Sequence, residues 1–380
     1  MQKKLNTILN HLSFILFHSL PLKKNKVLFI SHLGKSYSCN PKYLCEYLAK
    51  YYDNEIDIVW VYSGDAACPK DLPSNVRTVH HFSRRYLYEI STAHYVVSNT
   101  RITDWFMFEK RKGQIYIQTW HSSLRLKCIE ADAGLPDSYI LAAKKDSSKI
   151  DYIISGCELS TNIFQKSFWY DGPILKTGTP RIDYLLNITS QEKLHILEKA
   201  GLSNEYRYVL YAPTFRKNND LSAYNIKYDV LISTLKLKFG GKWKVLFRLH
   251  PNLKDVVSVE QIGKDCIDVT QYGDMQELLC ISDILITDYS SSMFDMAYLK
   301  KLCILYTSDL DKYLSSERKL YFNLKALPFV VVKDNLQLQK AIEKFDKTVY
   351  DESVFNFMKQ IGSYEDGNAC KRITRSIFNL

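Results

Sequence analysis

A histidine directly after a β-rich apolar run is the first place in this sequence where chemistry can be located. Ile115-Tyr116-Ile117 leads into Gln118-Thr119-Trp120-His121-Ser122-Ser123. At the carboxyl end of a parallel strand an imidazole, which titrates near neutrality, is suited to take a proton from an attacking hydroxyl. His121 is the candidate base, flanked by Trp120 and Ser122; taken alone, the motif is also compatible with a hydrogen-bonded structural histidine. A second histidine lies in Arg248-Leu249-His250-Pro251. In extended backbone, residues two apart project to the same side, so Arg248 and His250 can grip one phosphate.

Three further segments add anion-binding groups. Ile286-Thr287-Asp288-Tyr289-Ser290-Ser291-Ser292 is a strand running into a hydroxyl-rich turn, followed by a helical pattern with Met293, Met296 and Ala297. Hydroxyls there cap the helix, and its free N–H groups and dipole suit a pyrophosphate, which brings in Thr287, Asp288, Ser290 and Ser291. Gly178-Thr179-Pro180-Arg181-Ile182-Asp183 and Tyr211-Ala212-Pro213-Thr214-Phe215-Arg216 each place an arginine just after a proline-constrained turn. A guanidinium fixed in that way, Arg181 or Arg216, meets phosphate oxygens bidentately, with Pro213 and Thr214 shaping the second turn. Other chemistries are disfavoured. Ser31-His32-Leu33-Gly34-Lys35-Ser36 has one glycine, too few for a dinucleotide fingerprint or a Walker A loop. No carboxylate cluster has metal-ligand spacing, so no cofactor or metal site is expected, although a divalent ion bridging substrate phosphates is compatible with the pattern.

These motifs terminate short β-rich runs that alternate with helix-length segments. A first series covers 27–30, 56–62, 95–98, 114–118 and 152–155; a second covers 209–211, 244–248, 267–269, 284–287, 303–306 and 329–332. Such alternation predicts an α/β fold with parallel sheets covered on both faces. At 380 residues the chain exceeds what one core usually supports, so two doubly wound, Rossmann-like domains facing a central cleft are predicted, with ligands at the strands' carboxyl ends. The expected boundaries are an amphipathic N-terminal helix over 1–25, a first domain over 26–185, a second over 186–350, and C-terminal helices over 351–380 that can pack back on the first domain.

Composition narrows the partners. The net charge of +10, from 51 Lys and Arg against 41 Asp and Glu, favours nucleotides, phosphorylated polymers or an anionic membrane surface. The basic residues form no single stripe with interleaved aromatics, so nucleic acid is not expected. Nine scattered cysteines without a CxxC pair read as the reduced thiols of a cytosolic protein. Leu5, Ile8, Leu9, Leu12, Ile15 and Leu16 recur at helical spacing with Lys3, Lys4, Lys23, Lys24 and Lys26 nearby. That basic amphipathic helix is too short in its apolar run to span a bilayer; it lies either on an anionic membrane or on the protein's own core.

Taken together and in order, the segments resemble the CDP-glycerol glycerophosphotransferase family, which includes teichoic-acid primases and polymerases and related capsule enzymes. The resemblance rests on Val27-Leu28-Phe29-Ile30-Ser31 with Asn40-Pro41-Lys42-Tyr43, Trp120-His121, Gly178 with Pro180-Arg181-Ile182-Asp183, Tyr211 to Arg216, Arg248 with His250-Pro251, and Thr287 to Ser291. It implies a GT-B-like fold, donor binding mainly by the second domain, and peripheral attachment to the cytoplasmic face of the membrane. It also implies His121 and His250 as the catalytic pair, and Arg216, Arg248, Ser290 and Ser291 as donor phosphate contacts. The chain departs from the family's usual Trp-His-Gly at Ser122, in the segment Ser123-Leu124-Arg125-Leu126-Lys127, and in lacking a late Gly-Pro around Leu327-Pro328-Phe329.

The expected reaction is transfer of glycerol or ribitol phosphate from the CDP-polyol to a hydroxyl of a lipid-linked saccharide or growing polymer, with release of CMP, in teichoic acid or capsule synthesis. Trp120, Ser122 and Arg181 fall on the acceptor side of this reading. A GT-B nucleotide-sugar glycosyltransferase is the alternative enzyme, and a catalytically idle protein that binds anionic polymer is the alternative from another class.

Overall fold

The computed structural model describes residues 16–64, 68–103, 109–214, 216, 225–249, 263, 265–316 and 319–380. The chain divides into two compact units, one of Met1–His121, Glu130–Asp183 and Tyr364–Leu380, the other of Ser122–Ile129 and Tyr184–Ser363. The sheet of the first unit contains β1 (Lys23–Ile30), β2 (Asp57–Tyr62), β3 (Val76–His80), β4 (Ala93–Ser98), β5 (Ile115–Gln118), β6 (Tyr152–Ile154) and β7 (Ile174–Leu175). Their order is β3-β2-β1-β4-β5-β6-β7, every pairing parallel. From β1 the chain winds outward through β2 and β3, then returns to β4 and winds the other way. The strand order therefore reverses between β1 and β4, and in such sheets ligands gather at the carboxyl ends beside the reversal.

Helices on both faces explain why the inner strands are continuously apolar. Val27, Leu28, Phe29 and Ile30 of β1 are all fully buried. A buried ion pair shares that interior: the Lys26 ammonium donates to Glu89 at 2.6 Å and Thr92 at 2.8 Å, and Arg77 reaches the other Glu89 oxygen at 2.9 Å. The core also takes in the end of the chain, with Ala369, Ile373, Ile377 and Phe378 packed among Val27, Leu44, Trp60 and Val97.

In the second unit β8 (Arg207–Tyr211), β9 (Trp243–Phe247), β10 (Cys266–Asp268), β11 (Ile284–Thr287), β12 (Leu302–Tyr306) and β13 (Val330–Val332) form a six-stranded sheet. Its order is β10-β9-β8-β11-β12-β13, again wholly parallel, with the reversal between β8 and β11. Leading into this sheet, the helix Ser190–Lys199 starts with a capping box in which Thr189 and Glu192 bond each other's backbone N–H.

Several boundaries differ from the sequence expectation. The division between the halves falls after Asp183, the helix Lys347–Gln360 belongs to the second unit, and only the stretch from Tyr364 belongs to the first. Tyr364 N–H donates to the Gly156 carbonyl at 2.9 Å and starts that return. Of the predicted helix over 1–25, residues 1–15 lie outside the described residues, and β1 already begins at Lys23. Phe17 packs edge-on against Tyr88 at 5.6 Å, and the His18 ring bonds Ser91 and the Glu109 carbonyl. This end of the segment rests on the protein itself. Among the described residues no helix is long and apolar enough to cross a membrane.

Candidate active site

In the first unit, the carboxyl ends of β1, β4 and β5 bring together Ser31-His32, Ser98-Asn99 and Thr119-Trp120-His121. The Thr119 N–H continues the ladder to the Ser98 carbonyl at 2.8 Å. Trp120 then turns with a φ of +50°, a left-handed conformation that costs a bulky residue energy unless its surroundings hold it. Asn40 supplies that hold, its amide donating to the carbonyls of Thr119 and Trp120, both at 3.0 Å. The indole stands edge-on to Phe168 at 5.0 Å and stacks on the exposed His121 ring at 4.4 Å.

His121 Nδ1 lies 3.0 Å from the Asn99 carbonyl. A carbonyl only accepts, so Nδ1 carries the proton and the neutral ring keeps its lone pair on Nε2, the tautomer required of a base. Arg181 completes the arrangement from behind. Its guanidinium donates to the His121 carbonyl at 2.5 Å and to Cys39 Sγ at 3.4 Å, while its N–H reaches Asn40 Oδ1 at 3.1 Å. The phosphate contact expected of Arg181 gives way to this one: the buried side chain is turned onto the backbone of the base. Gly178, in the same segment, has a φ of +78°, and a Cβ there would meet Glu365 Oε2 at 2.7 Å; that carboxylate accepts from Thr179 N–H at 2.8 Å.

In the second unit the ends of β8 and β11 are tied by a buried ionic network. Thr287 Oγ1 donates to the Ala212 carbonyl at 2.7 Å. Asp288 accepts from Thr214 N–H at 2.8 Å and from Arg216 Nη2 at 2.9 Å. The same guanidinium donates through Nε to Asp309 at 2.7 Å and through Nη1 to the Thr214 carbonyl at 2.5 Å, and the Tyr289 hydroxyl joins Asp309 at 2.9 Å. Burial alone would raise the Asp309 carboxyl, but the bonds from Arg216 outweigh it and hold the group below the usual range. The Tyr289 hydroxyl is pushed up by burial and by Asp309 beside it.

Arg216, only 4% exposed, is thus directed at two carboxylates and a carbonyl, where the sequence reading expects a donor phosphate. Asp288 is likewise a partner within the network. Pro213 is buried in the turn they brace. Ser290 Oγ shares a hydrogen bond with Ser292 Oγ at 2.9 Å, and the helix that follows, Ser292–Tyr298, is two turns long. Ser291 Oγ accepts from the Leu126 N–H at 3.2 Å, holding the 122–129 segment, in which Cys128 N–H also reaches the Lys319 carbonyl at 2.9 Å. Ser122 is buried in that segment and belongs to the second unit, whereas Trp120 and His121 belong to the first.

Arg248 behaves differently. At the end of β9 it is half-buried, and its guanidinium donates to Met275 Sδ at 3.4 Å and to no carboxylate among the described residues. Burial pulls its pKa down, opposed by the charge of Asp274. His250 lies outside the described residues. Among those described, no three His, Cys, Asp or Glu side chains are grouped to hold a metal ion. Asn40, Asn99 and Asp309 received no role from the sequence. Asn99 was detectable as a polar residue directly after β4; Asp309 carries no local signal.

A family model described as CDP-Glycerol:Poly(glycerophosphate) glycerophosphotransferase matches residues 12–379. The chain is 30% identical over 370 residues to a teichoic acid poly(glycerol phosphate) polymerase of Bacillus spizizenii, covering 94% of this chain and 93% of that one. It is 32% identical over 383 residues to a teichoic acid glycerol-phosphate transferase of Staphylococcus aureus, covering 96% of each. Other relatives are longer: the chain spans 52% of a Bacillus subtilis polymerase of the same description as the first. A solved structure of the wall teichoic acid polymerase TagF superposes with a TM-score of 0.82 at 30% identity, covering 97% of this chain and 93% of that one. The GT-B-like fold of two parallel-sheet α/β units is shared with it. Because the family match runs through both sheets and the motifs at their strand ends, the chain belongs to the CDP-glycerol:poly(glycerophosphate) glycerophosphotransferase family.

Proposed function

We propose that this protein transfers glycerol phosphate from CDP-glycerol to a hydroxyl of a teichoic acid chain or its lipid-linked starter, releasing CMP. Family membership supports the reaction class. The choice of glycerol phosphate is supported by the relatives' names: polymerases and a transferase named for glycerol phosphate are 28%, 30% and 32% identical, and polymerases named for ribitol phosphate 26% and 24%, all over nearly the whole chain.

The observation that carries the mechanism is the fixed tautomer of His121 at the end of β5. In the proposed step the acceptor oxygen attacks the glycerol-bearing phosphorus of the donor and its proton passes to His121 Nε2. The bond from that phosphorus to the bridging oxygen breaks, and CMP leaves with the electron pair. Arg248 holds a donor phosphate and, with the Ser290 hydroxyl, supports the charge developing on CMP, while the Thr214 hydroxyl donates to Asp288 at 2.5 Å and braces the turn. Arg216 and Asp288 position the strand ends that carry these groups. The part assigned to His250 is a second catalytic imidazole. Nothing in this step needs a covalent enzyme intermediate; positioning and electrostatics account for it.

Peripheral docking on an anionic membrane surface through the basic N-terminal segment is part of the same proposal, since the acceptor is lipid-linked. Cosedimentation with phosphatidylglycerol vesicles, weakened by salt and by removal of residues 1–15, tests it. For the reaction, CMP release is measured with CDP-glycerol, CDP-ribitol and nucleotide-sugars in the presence of a lipid-linked acceptor. Release from CDP-glycerol, falling by about 10²–10⁴ in His121→Ala, is expected; turnover with a nucleotide-sugar alone overturns the assignment.

A further inference from the structure

A second imidazole stands beside the proposed base. The rings of His32 and His121 are 6.0 Å apart, one at the carboxyl end of β1, the other just past the end of β5. Both strands flank β4, and Asn99, following β4, binds both histidines. Its side-chain oxygen accepts from the His32 N–H at 2.8 Å and its carbonyl accepts from His121 Nδ1 at 3.0 Å.

The backbone at His32 is held at a cost. His32, Leu33 and Gly34 have φ values of +45°, +59° and +83° in succession. The first two are left-handed non-glycine residues, each destabilising by about 1–2 kcal/mol. The glycine is required by packing, since a Cβ there would stand 3.0 Å from the Ser63 N and Tyr62 carbonyl carbon. Ser63 fastens the turn, its N–H donating to the Gly34 carbonyl at 2.8 Å and its hydroxyl to the Leu33 carbonyl at 2.9 Å. Strain over-determined by neighbours is the mark of a conformation kept for a site. What it achieves here is to bring a half-buried imidazole next to the base.

We propose that His32 binds the last phosphate of an acceptor that already ends in glycerol phosphate, while His121 faces that unit's terminal hydroxyl. The inference rests on the glycerol phosphate transfer proposed above. In a glycerol unit the two terminal oxygens are separated by three carbons, roughly 5 Å at single-bond lengths near 1.5 Å. That is close to the 6.0 Å between the two ring centroids, so hydrogen bonds of about 2.8 Å running side by side from the two imidazoles reach a hydroxyl and a phosphate on the same glycerol. The exposed Lys35, three residues on, adds positive charge to the same loop. A site built in this way serves addition to an existing glycerol phosphate end, so another reaction of the same class must place the first unit on the saccharide.

The test is binding of a synthetic 1,3-linked glycerol phosphate trimer to the full chain by calorimetry, with CDP-glycerol binding measured in parallel. Asparagine and glycine both tolerate a positive φ, so His32→Asn and His32→Gly remove the ring while allowing the turn. About tenfold weaker trimer binding in both, with CDP-glycerol binding unchanged and thermal unfolding no lower than in the wild type, is expected. Trimer affinity within twofold of wild type, or equal weakening for trimer and CDP-glycerol, overturns the proposal. In the wild type, trimer titration must also shift the His32 imidazole resonances, and this readout decides the matter even if a variant does not fold. Failure of CDP-glycerol turnover would overturn the assigned reaction instead, because trimer binding is read without turnover.

Discussion

Asp183 receives the Cys370 N–H at 2.7 Å and the Ala369 N–H at 2.9 Å, so a carboxylate at the end of one stretch of the first unit caps a helix 186 residues further along the chain. Burial raises this carboxyl's pKa and the two N–H groups oppose it. Removing it in Asp183→Ala leaves two buried donors without their acceptor, at about 1–3 kcal/mol each. Thermal unfolding is expected to show this loss, and proteolysis to release the segment after Tyr364 first, because Ile373 and Phe378 lose their anchor in the core.

Arg216 is an internal counter-charge, which makes its substitution primarily a stability experiment. Arg216→Ala leaves the buried Asp288 and the partly buried Asp309 without a cation, and breaking a buried pair costs about 3–5 kcal/mol. Tyr289→Phe removes one bond to Asp309 and is expected to cost about 1 kcal/mol. Urea unfolding separates the two; equal and small effects would show that the network contributes little.

Arg248 gives the opposite expectation. With no carboxylate bonded to it among the described residues, Arg248→Ala should leave the unfolding midpoint near that of the wild type. Loss of a charge-assisted bond to a phosphate, worth about 1.5–3 kcal/mol, should raise KM for CDP-glycerol by roughly 10- to 100-fold. Initial rates of CMP release against donor concentration supply the measurement.

Acid stability follows from Glu89. Burial would raise its carboxyl, but the bonds from Arg77 and Lys26 prevail and bring it from 4.5 down to about 2. The unfolded chain therefore binds the proton more readily than the folded one, and stability from this group is present above the unfolded value and lost as pH falls from about 4.5 toward about 2. Chemical denaturation across that window should show the slope, flattened in Glu89→Gln.

The strands that sequence reading overlooked show what periodicity can detect. β3 (Val76–His80) is an edge strand whose consecutive residues Arg77 and Thr78 interrupt the buried pattern, and β7 is two residues long. Neither has the continuous apolar run that burial on both faces produces in β1 or β12. At the site the same limit applies to cations. Arg181, Arg216 and Arg248 look alike in sequence, each at the end of a turn or strand, yet the first is bound to the carbonyl of His121 and the second to Asp309, 60 and 93 residues away.

The sequence by itself determined the alternation of strands and helices, the two series they form, and the strand-end positions of His121, Arg248 and Ser290. Those features depend on local hydrophobic period and turn chemistry, which neighbouring residues express together. Only the tertiary structure decided which arginines are neutralised, which tautomer His121 adopts, that His32 stands beside it, and that the chain's end returns to the first core. Each of those depends on a hydrogen bond or ring contact a few ångströms long between residues far apart in sequence, and such a distance exists only once the sheets have formed.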